Sequence, residues 1–172
     1  MRIEVEINGE PHAGEVEPRT LLSDFIRHVA GLHGTRVGCE HGVCGACTVQ
    51  LDGEPVRSCL MLAAQADGRS LRTVEDLATE DGPHPLQRAF HEAHALQCGY
   101  CTAGILMSLE PFLREHPDPT EAEIRAALAG NLCRCTGYQA MVEATRAAAA
   151  EISATGAEHG DGGGAAAAAG DG

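Results

Sequence analysis

The chain has 172 residues, enough for one medium domain or two small ones, and a formal charge of −13 at pH 7 that argues against nucleic acid or an anionic membrane as partner. It is 44% hydrophobic but only 3% aromatic, with no Trp, so its cores are built from Ala, Leu, Val and Ile, and thin cores of that kind call for metal or disulfide staples. No apolar run reaches spanning length and no basic-then-apolar leader opens the chain, which predicts a cytoplasmic protein whose eight cysteines stay reduced and favour metal over four disulfides.

Ile3, Val5 and Ile7 alternate with Arg2, Glu4 and Glu6, the pattern of a half-buried strand. Asn8-Gly9 signals a hairpin, so a second strand is expected through Ala13 to Val16, closed by Pro18. Thr20 is placed to cap a helix whose stripe is Leu21, Leu22, Phe25, Ile26 and Val29, ending near Gly31. Val49 and Leu51 alternate, Asp52-Gly53 turns the chain, Val56 to Leu60 returns, and a last short strand includes Leu71 and Thr73. The sum is a small mixed sheet packed on one helix, a β-grasp.

Inside this unit, Cys39, Cys44 and Cys47 follow the spacing C-x4-C-x2-C, with Cys59 further on, which is the plant-type [2Fe–2S] pattern. Three thiolates from one loop must converge on a compact anionic cluster. Gly42 and Gly45 permit positive φ and let backbone N–H groups turn toward the sulfurs, while Cys59 closes the site from the returning strand. Structural zinc fits less well, because zinc knuckles present paired short spacings.

Thr79 to Pro85, with Gly82, Pro83 and Pro85, reads as a linker between residues 1–78 and 86–152. Beyond it the period becomes helical. Leu86, Ala89, Phe90 and Ala93 mark one helix; Ile105, Leu106, Leu109, Phe112 and Leu113 mark a second, which Pro111 should kink or divide. Thr120-x-x-Glu123 is a capping box for a third, lined by Ile124 and Leu128 and ended by Gly130-Asn131. Thr136-x-x-Gln139 is a candidate box for a fourth, with Met141, Val142, Thr145 and Ala149 inward. The fold class is therefore α+β, a ferredoxin-like β-grasp followed by an all-α four-helix bundle. Residues 153–172, rich in Gly, Ala and Asp, are expected to be disordered.

Cys98 and Cys101 precede the second helix, and Cys133 and Cys135 precede the fourth; the latter two, at i and i+2, can face one side. Helix N-termini there would favour bound negative charge, as a second [2Fe–2S] centre needs, although zinc at this spacing stays open. Four plus four leaves no cysteine over. Gln97 by itself reads as a loop-capping amide. His84, His91 and His94 read as surface residues, His41 as a loop residue, and Glu110, Glu115, Glu121 and Glu123 as a solvated face. No nucleophile–base constellation, phosphate loop or dinucleotide fingerprint is present.

Three motifs, Gly38-Cys39-Glu40-His41-Gly42-Val43-Cys44-Gly45-Ala46-Cys47-Thr48, Gln97-Cys98-Gly99-Tyr100-Cys101-Thr102 and Gly130-Asn131-Leu132-Cys133-Arg134-Cys135-Thr136-Gly137-Tyr138, resemble the iron–sulfur small subunit of molybdenum hydroxylases, the family of xanthine dehydrogenase and aerobic carbon monoxide dehydrogenase. The likeness covers residues 1 to about 152; Ala103, where many members have Pro, and Pro111 are mild departures. The resemblance implies an electron-transfer subunit of an oxidoreductase complex, without a substrate site of its own. It implies a [2Fe–2S] cluster on Cys39, Cys44, Cys47 and Cys59 and another on Cys98, Cys101, Cys133 and Cys135. It further implies a large subunit holding molybdopterin, expected as the cytosine dinucleotide, which Gln97 contacts, and a medium subunit holding FAD, assembled as a dimer of heterotrimers. Two other classes remain open at this point: a stand-alone two-cluster ferredoxin and a zinc-stapled interaction module.

Overall fold

The structure is a computed structural model that describes residues 1–80 and 82–156. Strands β1 (Arg2–Ile7), β2 (Glu10–Glu15), β3 (Thr48–Leu51), β4 (Glu54–Arg57) and β5 (Ser70–Arg72) form one mixed sheet in the order β2-β1-β5-β3-β4. The β1–β5 pair is parallel and the others antiparallel. Both two-residue hairpins follow from their turn sequences. Asn8-Gly9 and Asp52-Gly53 all take positive φ, the left-handed pair that matches strand twist.

One face of the sheet packs on a short helix, α1 (Leu22–Asp24), which continues as a π-turn, Phe25–Val29. Thr20 does not cap it. Leu21 holds the cap position, and the free Leu22 N–H donates instead to the Met61 carbonyl at 2.8 Å. Phe25 and Ile26 are buried with Ile3, Ile7, Val49 and Leu51, but Val29 is 48% exposed. The wider i→i+5 turn rotates Val29 off the stripe that a regular helix would have given it.

Four helices follow: α2 (Pro85–Glu92), α3 (Thr102–Glu115), α4 (Glu121–Leu128) and α5 (Gln139–Thr155). They enclose a second apolar cluster, including Leu86, Phe90, Ile105, Leu109, Ile124, Met141 and Val142. The Thr120–Glu123 capping box forms as its sequence predicts. The Thr136–Gln139 box does not: Tyr138, at φ 70°, holds the cap position, and Thr136 turns to Cys133. The last helix reaches Thr155, past the expected boundary at 152; the rest of the predicted tail, 157–172, lies outside the described residues.

Strand β3 joins the two cores. All four of its residues are buried, because Val49 and Leu51 face the N-terminal cluster while Gln50 reaches α3. Pro111 lies inside α3 without dividing it. Lacking an N–H, it leaves the Met107 carbonyl without its helical donor, and Gln50 Nε2 supplies one at 3.3 Å. The same amide lies 2.8 Å from Glu110 Oε2, and Arg72 and Arg114 pair with Glu110 Oε1 at 3.4 and 3.7 Å. Glu110 is 0% exposed, so the solvated face expected of it is wrong: a carboxylate opposite two arginines and an amide can be buried where a lone one cannot.

Replacing Gln50 with Leu leaves both Met107 O and Glu110 short of a donor. Denaturant unfolding should show a loss of about 2–4 kcal/mol. Adding Pro111→Ala, which restores a helical N–H to Met107 O, should recover part of it; no recovery would refute this account.

Candidate metal centres

The first group of thiols is assembled by a loop and a turn. Cys39, Cys44 and Cys47 come from the segment before β3, and Cys59 from a 3-10 turn, Ser58–Leu60, rather than from the returning strand itself. Gly45 is required twice over: its φ is +73°, and a Cβ there would stand 2.4 Å from the Gly130 carbonyl. The Cys47 carbonyl accepts from Ser58 Oγ at 2.8 Å, which holds the turn with Cys59 against the loop.

The second group comes from two loops of the helical half. Cys101 is the residue before α3, so the predicted proximity to a helix start holds for this pair. It does not hold for the other pair, because α5 begins only at Gln139, and the dipole acts over little more than one turn. The tripeptide Cys133-Arg134-Cys135 is bent, not strand-like, and hands its thiols to different partners. What holds Cys133 is Tyr138. Its hydroxyl accepts the Cys133 N–H at 2.7 Å and donates to the Asn131 carbonyl at 3.0 Å, while Thr136 Oγ1 lies 3.2 Å from Cys133 Sγ.

In both groups the sulfurs meet two by two. Cys39 pairs with Cys44 and Cys47 with Cys59; Cys98 pairs with Cys135, and Cys101 with Cys133. The Cys98–Cys135 sulfurs are 3.6 Å apart, close to the ~3.8 Å edge between two thiolates on one tetrahedral metal with bonds of about 2.3 Å. All eight cysteines are free, which overturns the disulfide alternative. Among the described residues, no group of three or more His, Cys, Asp and Glu side chains is arranged around a single metal-ion position. Each group has an outer and an inner pair: Cys39 and Cys44 are half-buried above buried Cys47 and Cys59, and exposed Cys98 and Cys135 lie above Cys101 and Cys133.

The protons are distributed unevenly. Backbone N–H groups, first that of Cys44 and then that of His41, lower the Cys39 thiol to about 6. Burial, then the neighbouring Cys47, pushes Cys59 up to about 11; burial, then Cys133, pushes Cys101 up to about 12. For Cys133, burial acts most strongly and upward, but hydrogen bonds from Thr136 and its backbone outweigh it, and the net direction is down. A buried thiol that keeps its proton beside a thiolate is a place where metal charge can replace that proton. The donor set therefore fits a pair of two-metal, all-thiolate clusters.

Gln97 is exposed beside Cys98, and its Nε2 donates to the Cys135 carbonyl at 3.2 Å, so it lies at the outer edge of the second group. Tyr100 reaches across to the first loop, its hydroxyl donating to the Val37 carbonyl at 2.6 Å. Of the histidines set aside, His84 caps α2 through the Leu86 N–H. Sequence reasoning missed Gly104, which none of the three motifs includes and whose missing side chain lets the first turn of α3 approach the Gly45 and Ala46 carbonyls. The motif with Asn131 and Tyr138 was noticed, yet only the packing shows what each touches.

The pattern defines a two-site iron–sulfur protein, and comparison with known proteins agrees. A [2Fe-2S] binding domain family matches residues 73–146, and a 2Fe-2S iron-sulfur cluster binding domain family matches residues 5–78. The beta subunit of the 6-hydroxypseudooxynicotine dehydrogenase complex of Paenarthrobacter nicotinovorans is 57% identical over 145 residues, 84% of this chain and 91% of that one. The gamma subunit of caffeine dehydrogenase from Pseudomonas sp. strain CBB1 is 56% identical, over 84% of this chain and 88% of that one. The crystal structure of quinoline 2-oxidoreductase from Pseudomonas putida 86 superposes with a TM-score of 0.86 at 50% identity, covering 91% of this chain and 97% of its counterpart. The chain belongs to the [2Fe–2S] small subunits of the molybdenum hydroxylases, and is thus an iron–sulfur subunit of an oxidoreductase complex.

Replacing Tyr138 with Phe removes the hydroxyl that bridges the Cys133 N–H and the Asn131 carbonyl. The expected cost is about 1–3 kcal/mol, read by unfolding, together with faster hydrogen exchange at the Cys133 amide. Unchanged exchange at that amide would show that the phenol does not hold the loop.

Proposed function

We propose that the chain is the electron-transfer subunit of a multi-subunit molybdenum hydroxylase, in which two [2Fe–2S] clusters supply one-electron carriage between molybdopterin on a large subunit and FAD on a medium subunit. Cys39, Cys44, Cys47 and Cys59 hold one, in a ferredoxin-like unit of residues 1–78. After the linker 79–85, Cys98, Cys101, Cys133 and Cys135 hold the other, in a four-helix bundle that begins at residue 86. The observation that carries this is the two-by-two meeting of all eight thiols in two groups separated along the chain.

The chain's own part is to bind and space the clusters. Gln97, exposed at the outer edge of the second group, is the residue proposed to meet the pterin, its amide able to donate and accept. Substrate is bound and chosen elsewhere, in the large subunit. The relatives compared above are named for nitrogen heterocycles, and that class is the first to offer the complex. Assembly is proposed as a dimer of heterotrimers in the cytoplasm, where thiols stay reduced. No helix among the described residues is long and apolar enough to cross a membrane.

Metal analysis of the purified chain should find about four iron and four acid-labile sulfides per chain. Zinc without sulfide would instead select the zinc-stapled module. Co-purification with a molybdopterin-binding and an FAD-binding chain is expected; a monomer fully competent as a free carrier would select the stand-alone ferredoxin.

Cys98→Ala and Cys133→Ala should each abolish one electron paramagnetic resonance signal and leave the other intact. If either abolished both, the two-domain division would be wrong, or the two halves would be folding as one unit.

A further inference from the structure

The two thiol groups belong to different cores, yet the loops that carry them touch. Leu132, beside Cys133, donates its backbone N–H to the Cys44 carbonyl at 2.9 Å. Next to it, Asn131 Nδ2 donates to the Gly45 carbonyl at 3.0 Å, between Cys44 and Cys47. The opposite edge of the Asn131 amide, Oδ1, lies 3.0 Å from Ser108 Oγ on α3. This orientation is the one chemistry requires: a carbonyl only accepts, so the NH2 end must face Gly45, and the oxygen end shares the single Ser108 hydroxyl hydrogen with the Gly104 carbonyl, 2.8 Å from Oγ. Asn131 is 1% exposed, and its own carbonyl takes the Tyr138 hydroxyl that also holds the Cys133 N–H. One buried side chain thus reaches both ligand loops and the helix that follows Cys101.

The approach is close on all sides. A Cβ on Gly104, in the first turn of α3, would stand 2.2 Å from the Gly45 carbonyl and 2.9 Å from that of Ala46. Arg57, two residues before Cys59, donates to the Gly130 carbonyl at 2.7 Å. A loop–loop contact of this kind can slide if it rests on apolar packing alone. A buried amide with a fixed donor edge and a fixed acceptor edge cannot slide without losing both bonds.

The geometry points to Asn131 as a positioning residue: its side-chain amide locks the loop of the first metal site against the loop of the second and so sets the separation of the two sites. Among the described residues, the bond from Asn131 to the first loop goes to the Gly45 carbonyl and not to a sulfur. This rests on the two-cluster reading given above, and it adds a residue and a function to it.

The test uses the full-length chain with its metal loaded, as wild type, Asn131→Ala and Asn131→Asp. The aspartate keeps the shape and the acceptor edge but has no hydrogen to give Gly45 O. With both sites reduced, two neighbouring unpaired spins split each other's resonance, and the dipolar part falls with the cube of their separation. Both variants should retain the wild-type iron content and each site's own g-values, while the splitting shrinks or broadens. Separately, the Leu132 amide should exchange about tenfold faster, the factor expected when one buried hydrogen bond is lost. An unchanged splitting with both sites filled overturns the inference. So does loss of iron from the second site in both variants, which would confine Asn131 to building that site. Absence of iron and sulfide from the wild-type chain would be a failure of the two-cluster reading, a different result from either.

Discussion

The architecture depends on a contact between backbones. The first turn of α3 lies against the Gly45 and Ala46 carbonyls so closely that Gly104 has no room for a side chain. Two cores, each too small and too poor in aromatics to be rigid alone, are thereby joined where their thiols are carried. Contacts between flexible loops would leave the spacing of the two thiol groups loose. A contact made of peptide groups, closed by Asn131, Leu132 and Arg57, leaves little play.

A second join, further along α3, works by polar accounting. Pro111 takes a donor out of α3, and a strand residue from the other core returns it through Gln50. Glu110 sits one position before that proline and holds Gln50 from one side and Arg72 and Arg114 from the other. Such a network adds less to stability than the same volume of apolar packing, because desolvating a carboxylate and its arginines offsets most of their attraction. What it adds is register. A helix shifted by one residue along β3 would strand a carboxylate, a carbonyl and an amide together, a far larger penalty than a poorly filled apolar gap.

The sequence made the chemistry legible because ligand chemistry is local. The spacing of Cys39, Cys44 and Cys47, the glycines among them and the two later pairs stand together in one dimension, and the structure gathers the same thiols into two groups in three. The hairpins at Asn8-Gly9 and Asp52-Gly53 and the capping box at Thr120 were legible for the same reason: each is decided within four residues. What failed was set either by distant neighbours or by local backbone geometry that residue types do not encode. Glu110 looked solvated because its partners Gln50 and Arg72 lie 60 and 38 residues away. Thr136 looked like a helix cap because its spacing to Gln139 fits a capping box, whereas the loop's bend turns its hydroxyl to the Cys133 sulfur three residues back. Val29 fell off its stripe because the helix widened to an i→i+5 turn.

The two thiol groups also differ in what surrounds them. In the first, the lowered thiol, Cys39, is stabilised by backbone N–H groups, an inheritance of the loop's own conformation. In the second, the lowered thiol, Cys133, answers to hydrogen bonds from Thr136, against the upward push of burial. Charge in the first group is thus favoured by main-chain dipoles that no substitution removes without refolding the loop. Charge in the second leans first on the Thr136 hydroxyl, which a single substitution can delete, and then on the backbone N–H groups of Thr136 and Cys135. The second group is also the one whose outer pair, Cys98 and Cys135, is exposed together with Gln97. An environment that rests in part on a side chain is the more adjustable of the two.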